Sequence, residues 1–532
     1  LHRLTPNYTL HVEPAMRIVL SALLCCFIAP VSVQAELSVP HFFSDHMVLQ
    51  RETAVLIWGT ADAGASVTVS FRGQNASSIA DAEGRWKVRL PTGAAVSEGS
   101  PLKIASMPSG ETITIQDVLV GEVWFASGQS NMVFTMNRVP AYAAVTANAN
   151  FPQIRMFNAP TVTAVEPQED IDGEWTLCSP DTAPGYSAVA FFFARKLHSE
   201  LGIPVGVIKS AWGGKPVETF TSREALSALP GTKALVDAVM AADATFDAAQ
   251  AQAAYERQLK QWESANSAGQ KQPVAQGGRR SRRPARPKRP LDSEGQPGVL
   301  FNSMIHPFVG YTLRGAIWYQ GEANAKAGAV PYSQTLPLLI NDWRNRWGDE
   351  FSFYYVQLAN FREPSTEPGS DDPWPLLQDQ MRLVLQTTPK TGMAIINDIG
   401  EAKDIHPRNK HDVGERLALW ALAKDYGRQE LIFSGPLFRA SNVREGKVEV
   451  RFDHVGAGLK SRDGQPLARF EIAGADGVWH WAEAQITAAD TVTVTSNAVA
   501  KPVGVRYAWA ANPAGANLVN SAGLPASVFS WR

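Results

Sequence analysis

The stretch VLVGEVWFA, residues 118–126, runs almost directly into Gly128-Gln129-Ser130-Asn131-Met132. An apolar run of this length bounded by turn residues reads as a buried strand. A serine just past such a strand, beside a glycine, can present its hydroxyl in a turn ringed by backbone N–H groups. That is the setting a nucleophile needs. By itself the pentapeptide reads equally well as turn chemistry, so its partners must be sought elsewhere in the chain.

Outward from this strand, the region 117–427 alternates apolar runs with helical stretches. The runs are 118–126, 205–210, 315–319, 353–358 and 392–396. In 187–201, Val189, Phe193, Leu197 and Leu201 recur every four residues and make one packing face. Alternation of this kind predicts an α/β fold, a three-layer parallel sheet with helices on both faces. Residues 36–116 instead carry short alternating runs (54–58, 66–71, 86–90, 112–115) and read as an N-terminal β module. Short strands return in 428–532, at 448–452, 468–472, 491–495 and 504–509, as a C-terminal β module. An insertion at about 223–295 begins with helical sequence. It ends in the Arg/Pro/Gly-rich 268–290, which cannot bury apolar surface and is expected to be a disordered, solvated loop. An electrostatic tether to an anionic surface is the functional alternative for it.

Composition sets limits on function. A chain of 532 residues exceeds one ordinary domain. A net charge of -2 gives no case for a nucleic-acid partner. Fifteen tryptophans suit carbohydrate surfaces, but core filling accounts for most of them. Met16-Arg17, the apolar 18–28 and Val33-Gln34-Ala35 have the form of a secretory leader. Cleavage after Ala35 is expected, with an exported, periplasmic or secreted product and no stable membrane span. The segment is short of the roughly 20 residues that a span needs. Of three cysteines only Cys178 lies outside the leader, so no internal disulfide forms in the mature chain, and it reads as a buried small residue.

Four pieces of the α/β region converge on one site, since ligands bind at the carboxyl ends of parallel strands. The first is Ser130. The second is Ser210-Ala211-Trp212-Gly213-Gly214, whose paired glycines let backbone N–H groups approach a ligand. The third is Trp318-Tyr319-Gln320-Gly321-Glu322-Ala323-Asn324, where Gln320 and Asn324 are both candidate donors to an oxyanion and Glu322 can orient one of them. The fourth is Asp404-Ile405-His406-Pro407, ahead of a helix expected to start near Asp412 with Asp412 and Glu415 as a capping box. A loop histidine on a rigid scaffold suits proton transfer, and Asp404 is near enough in sequence to bond its ring. Ser130, Asp404 and His406 follow the chain order of a hydrolase triad. His306 competes for the base role. Gln129, Asn131, Trp212, Glu322 and His306 are candidate substrate contacts. No metal-ligand spacing or phosphate loop is present, and no cofactor is expected.

These motifs resemble the sialate O-acetylesterase family of the SGNH hydrolase group. The resemblance rests on GEVWFASGQSNM (121–132), YSAVAFFFARKL (186–197), SAWGGKPVE (210–218), LFNSMIHPF (300–308), GAIWYQGEANA (315–325), DIHPRNK (404–410) and NLVNSAGLPASVF (517–529). It implies a metal-free esterase that removes O-acetyl groups from sugars. Ser130 would be the nucleophile, His406 the base and Asp404 the acid. The Ser130 amide, Gly213 or Gly214, and Gln320 would form the oxyanion hole. Two departures matter. The group's third block presents Gly-x-Asn where this chain has Gln-Gly-Glu. Its last block has three positions from Asp to His, and here a single residue intervenes, so Asp398 is an alternative acid. Acetylated xylan is an alternative substrate, and a non-catalytic carbohydrate-binding protein an alternative class. A sialate-dedicated site would need a cation for the sugar carboxylate, such as Arg138 or Arg362.

Overall fold

The structure, a computed structural model, describes residues 36–267 and 282–532. The leader and most of the Arg/Pro-rich segment lie outside the described residues.

The central sheet has seven strands, numbered here β1 (Thr112–Gly128), β2 (Phe151–Asn158), β3 (Trp175–Cys178), β4 (Val205–Ala211), β5 (Gly315–Tyr319), β6 (Ser352–Gln357) and β7 (Thr391–Ile395). Their order is β7-β6-β5-β1-β4-β2-β3. All pairs are parallel except β2–β3, an antiparallel edge. Helices α1 (Ala188–Leu201), α2 (Tyr332–Trp347), α3 (Pro373–Thr387) and α4 (Lys410–Lys424) cover it. Adjacent strand residues point to opposite faces, and the aromatics show which helix lies where. Trp124 meets Phe193 of α1, whereas Phe125 meets Trp343 of α2. Likewise Tyr354 meets Trp420 of α4 and Phe353 meets Trp343. The expected three layers are therefore present. Trp124, Trp318 and Trp343 serve as core.

β1 is the axis of the molecule. The sequence divides it into two runs, 112–115 and 118–126, but it is one strand of 17 residues. Its first half pairs antiparallel with Val96–Met107, and Ile113 stands opposite Ile104. Its second half lies between β4 and β5 in the parallel sheet. The change occurs at Asp117, which has a positive φ of 54°. Arg155, almost fully buried, holds that kink through the Asp117 carboxylate and carbonyl. Residues 437–531 form a separate seven-stranded antiparallel sheet, with Val450, Phe470, Ile472 and Phe529 in its core. Among its described residues the insertion has three α-helices, Arg223–Ser227, Pro230–Ala244 and Ala248–Ser267. Its returning end is tied down by Arg289 on Asp243.

At the foot of the parallel half, Glu122 is fully buried on β1. It accepts from Gln50 at 3.0 Å and Arg314 at 2.8 Å, and pairs with Arg51. Burial pushes its carboxyl up, but the two guanidiniums hold it below the usual range. A depressed folded pKa stabilises above the unfolded value and is lost as pH falls through the folded one. Glu122→Gln therefore lowers stability by about 3 kcal/mol at neutral pH. Thermal unfolding of the two proteins checks this, and the gap between them should narrow below pH 4.5.

Candidate active site

Three strand ends finish level with one another. Ala211 of β4 and Tyr319 of β5 both stand in register with Gly128. Gly128 has φ +132°, and a Cβ there would fall 2.2 Å from the Tyr319 carbonyl oxygen. No other residue fits that approach. The Gln129 amide donates to the same carbonyl at 2.9 Å, and the Trp212 amide donates to the Gly128 carbonyl at 3.1 Å. The chain is thus turned sharply upward, and Ser130 opens a short helix, Ser130–Val133. Gly213 packs on it, so closely that a Cβ would lie 3.2 Å from the Ser130 Cβ. Among the described residues, no protein acceptor takes the amides of Ser130, Gly213 or Gly214.

His406 meets this serine from the other end of the domain. Its Nε2 lies 2.9 Å from Ser130 Oγ. Its Nδ1 lies 3.3 Å from Asp404 Oδ1, which also accepts the His406 amide at 2.9 Å. The Phe134 ring lies nearly parallel to the imidazole. Partial burial lowers the pKa of His406; Asp404 opposes that shift and Lys410 adds to it. The His406 amide holds Asp404 below its usual range.

The loop that carries both residues is braced by the C-terminal tail. Asn512 donates to the Arg362 carbonyl and accepts from Asn360. Asn360 in turn accepts the Gly400 amide at 2.7 Å. A Cβ on Gly400 would sit 1.9 Å from the Asn360 carbonyl oxygen, so the two segments are in direct contact.

Other expectations need correction. Asp398, the alternative acid, is bound at both oxygens by Arg416 and flanked by Arg462, away from the imidazole. Gln320 and Asn324, the candidate oxyanion donors, are buried and their amide nitrogens already have acceptors within the protein. The Gln320 Nε2 has three acceptors within reach of its two N–H groups, Asn324 Oδ1 at 2.8 Å, the Lys215 carbonyl at 3.1 Å and Gln129 Oε1 at 3.2 Å, while its Oε1 accepts from Tyr332. The Asn324 Nδ2 is spent on Glu218. Asn131 and Glu322 are hydrogen-bonded to each other inside the protein, and Gln129 has its Oε1 bonded inward. Gln129 Oε1 accepts from Gln320 and from the Ala323 amide. Asn131 bonds Glu322, the Ile405 carbonyl and Lys410. His306 bonds the Gln168 carbonyl and has no contact with Ser130. Trp212 is half-buried beside Gly213, with the Lys215 ammonium over its ring. Arg362 pairs with Asp372. Arg138 stacks over Phe134, and no carboxylate pairs with it among the described residues. α4 starts earlier than expected. Asn409, not Asp412, is its cap, accepting the Asp412 amide.

Three residues of the site carried no sequence signal of their own: Lys410, Tyr332 and Glu218. Lys410 stands inside the DIHPRNK segment, but nothing in its spacing marks it as buried. Cys178 is buried, with its thiol pushed up to about 12. Among the described residues no cluster of three His, Cys, Asp or Glu could hold a metal ion.

No protein-family model matches the chain. It is 30% identical over 519 residues to the sialate O-acetylesterase of Rattus norvegicus, covering 89% of each protein. It is 30% identical over 433 residues to the sialate O-acetylesterase of Homo sapiens, covering 74% of this chain and 72% of the human one. Among solved structures it matches a carbohydrate acetylesterase from Xanthomonas citri with TM-score 0.76 and 35% identity. That match covers 93% of this chain and all of the other.

The local charges fix a measurable property. Followed by NMR, the His406 ring should titrate below pH 6.5. Asp404→Asn removes the charge that opposes the shift, so its midpoint should move lower still. A midpoint above the ordinary value, or an upward move in the variant, contradicts the geometry.

Proposed function

We propose that this chain, which belongs to the sialate O-acetylesterase family, is a serine esterase that removes O-acetyl groups from sugars. One observation carries the reading: the imidazole at 406 lies within hydrogen-bond reach of the hydroxyl at 130, on the C-terminal edge of the sheet. In the mechanism we propose, Ser130 attacks the acetyl carbonyl while His406 Nε2 takes its proton. Asp404 holds the ring in the tautomer that leaves Nε2 free and stabilises the imidazolium. Negative charge grows on the carbonyl oxygen. The uncommitted amides of Ser130, Gly213 and Gly214 are the donors for it, each worth about 3 kcal/mol. The sugar alkoxide leaves with the proton from His406. Water, activated by the same imidazole, then attacks the acetyl-serine and releases acetate.

For the sugar, we propose an O-acetylated sialic acid. The rat and human relatives carry that substrate in their names. Arg138 supports it, as a cation on the Phe134 ring that pairs with no carboxylate among the described residues. The matched Xanthomonas citri enzyme is described only as a carbohydrate acetylesterase, so acetylated xylan is the second substrate to test. We further propose that the working enzyme is exported, on the strength of the leader in 16–35. Among the described residues no helix is long and apolar enough to cross a membrane.

Ser130→Ala should lower acetate release by at least roughly 10⁴-fold while circular dichroism stays that of the wild type. An active Ser130→Ala protein would falsify the assignment. Acetate release from 9-O-acetyl sialic acid should exceed that from acetylated xylan, and the reverse ranking selects the polysaccharide.

A further inference from the structure

Behind the nucleophile lies a group of buried polar side chains that the proposed mechanism does not use. Lys410 is completely buried. Its ammonium lies over the rings of Phe134 and Tyr319, at 5.0 and 5.3 Å, and donates to Asn131 Oδ1. The Asn131 Nδ2 donates to Glu322 Oε1 and, at 3.1 Å, to the carbonyl of Ile405. The other Glu322 oxygen is buried without a partner. Asn131 follows the nucleophile, and Ile405 precedes the base. One carboxamide therefore joins the serine turn, the histidine loop, the end of β5 and the start of α4.

This arrangement is costly by every local measure. A buried ammonium loses its hydration. Lys410 is also the first residue of α4, where the helix field disfavours a positive charge. Burial drives the Lys410 ammonium down to about 7 and pushes the Glu322 carboxyl up, while their mutual attraction opposes both shifts. Helix stability gives no reason for a lysine here. The hydrogen-bond pattern does give one. An ammonium can only donate, and a backbone carbonyl can only accept. Asn131 can therefore sit only one way round, and in that orientation it holds the backbone before His406.

We propose that Lys410, Asn131 and Glu322 form a buried clamp that keeps His406 in reach of Ser130, with Lys410 as a positioning residue for the base. The inference rests on the esterase reading above. The clamp also has an electrostatic effect. The charged groups that act on His406 are Asp404, Lys410 and Arg138, and those that act on Lys410 are Glu322, Asp404, Glu401 and Arg138. The Lys410 ammonium, like the Arg138 guanidinium, favours the neutral imidazole.

Lys410→Met, Asn131→Ala and the double variant test the clamp, each first shown to be folded by circular dichroism. Misplacement of the base by about 1 Å costs roughly 10²-fold. Each single variant should lose about that much in kcat on an acetyl ester, with KM within about twofold. The double variant should lose no more, because the two residues act as one unit. In Lys410→Met the His406 midpoint, read by NMR, should rise, and the acid limb of kcat/KM should rise with it. In Asn131→Ala, which keeps the charge at 410, the midpoint should stay at the wild-type pH. The proposal is overturned if folded Lys410→Met keeps kcat within about threefold of wild type, if its His406 midpoint does not move, or if the two losses multiply in the double variant. Should Lys410→Met not fold, kcat of Asn131→Ala decides alone. The NMR arm reads the clamp even where no acetyl ester is turned over, so failure of the esterase reading is distinguishable from failure of the clamp.

Discussion

The absence of a side chain at Gly128 is the constraint from which the site follows. The middle strand of a parallel sheet must stop between two neighbours that stop at the same level. It can leave only by pressing its backbone against the carbonyl of Tyr319, where a methyl group has no room. The next residues are then fixed by main-chain hydrogen bonds to both neighbours. Ser130 inherits its position from that turn. Its helix begins at once, and among the described residues neither its amide nor those of Gly213 and Gly214 have a protein acceptor.

The histidine loop has no comparable strand to define it, and it is held by polar contacts instead. On its outer side Asn360 and Asn512 tie Gly400 and the backbone of Arg362 to the C-terminal tail. On its inner side Asn131 reaches the Ile405 carbonyl. Side-chain amides suit this task because each both donates and accepts, so one residue can join two segments of irregular backbone. The serine is thus placed by a strand rooted in the N-terminal β region, while the base is placed partly by the C-terminal one.

The parallel strands were legible because each is buried on both faces and reads as a continuous apolar run. Ser130, His406 and Asp404, which the structure brings together, sit at a strand end or beside a helix start, where local signals are strong. What escaped depends on partners far along the chain. Gln320 looks like a free donor until Tyr332, Lys215 and Asn324 close around it. Asp398 looks available until Arg416, eighteen residues on, takes both its oxygens. The unity of β1 was hidden by Gln116 and Asp117. These polar residues read as a break, yet the backbone bends there without leaving the sheet. α4 starts earlier than its Asp412–Glu415 capping signal because Asn409 accepts the Asp412 amide and caps the helix.

The serine and the imidazole are 276 positions apart in the chain. A ribosome adding about 5–20 residues per second needs roughly 14–55 s to pass from one to the other. Throughout that interval the nascent polypeptide carries the serine without the imidazole that meets it in the folded chain. The site therefore cannot assemble until the imidazole has been made, and a chain abandoned before that point lacks it.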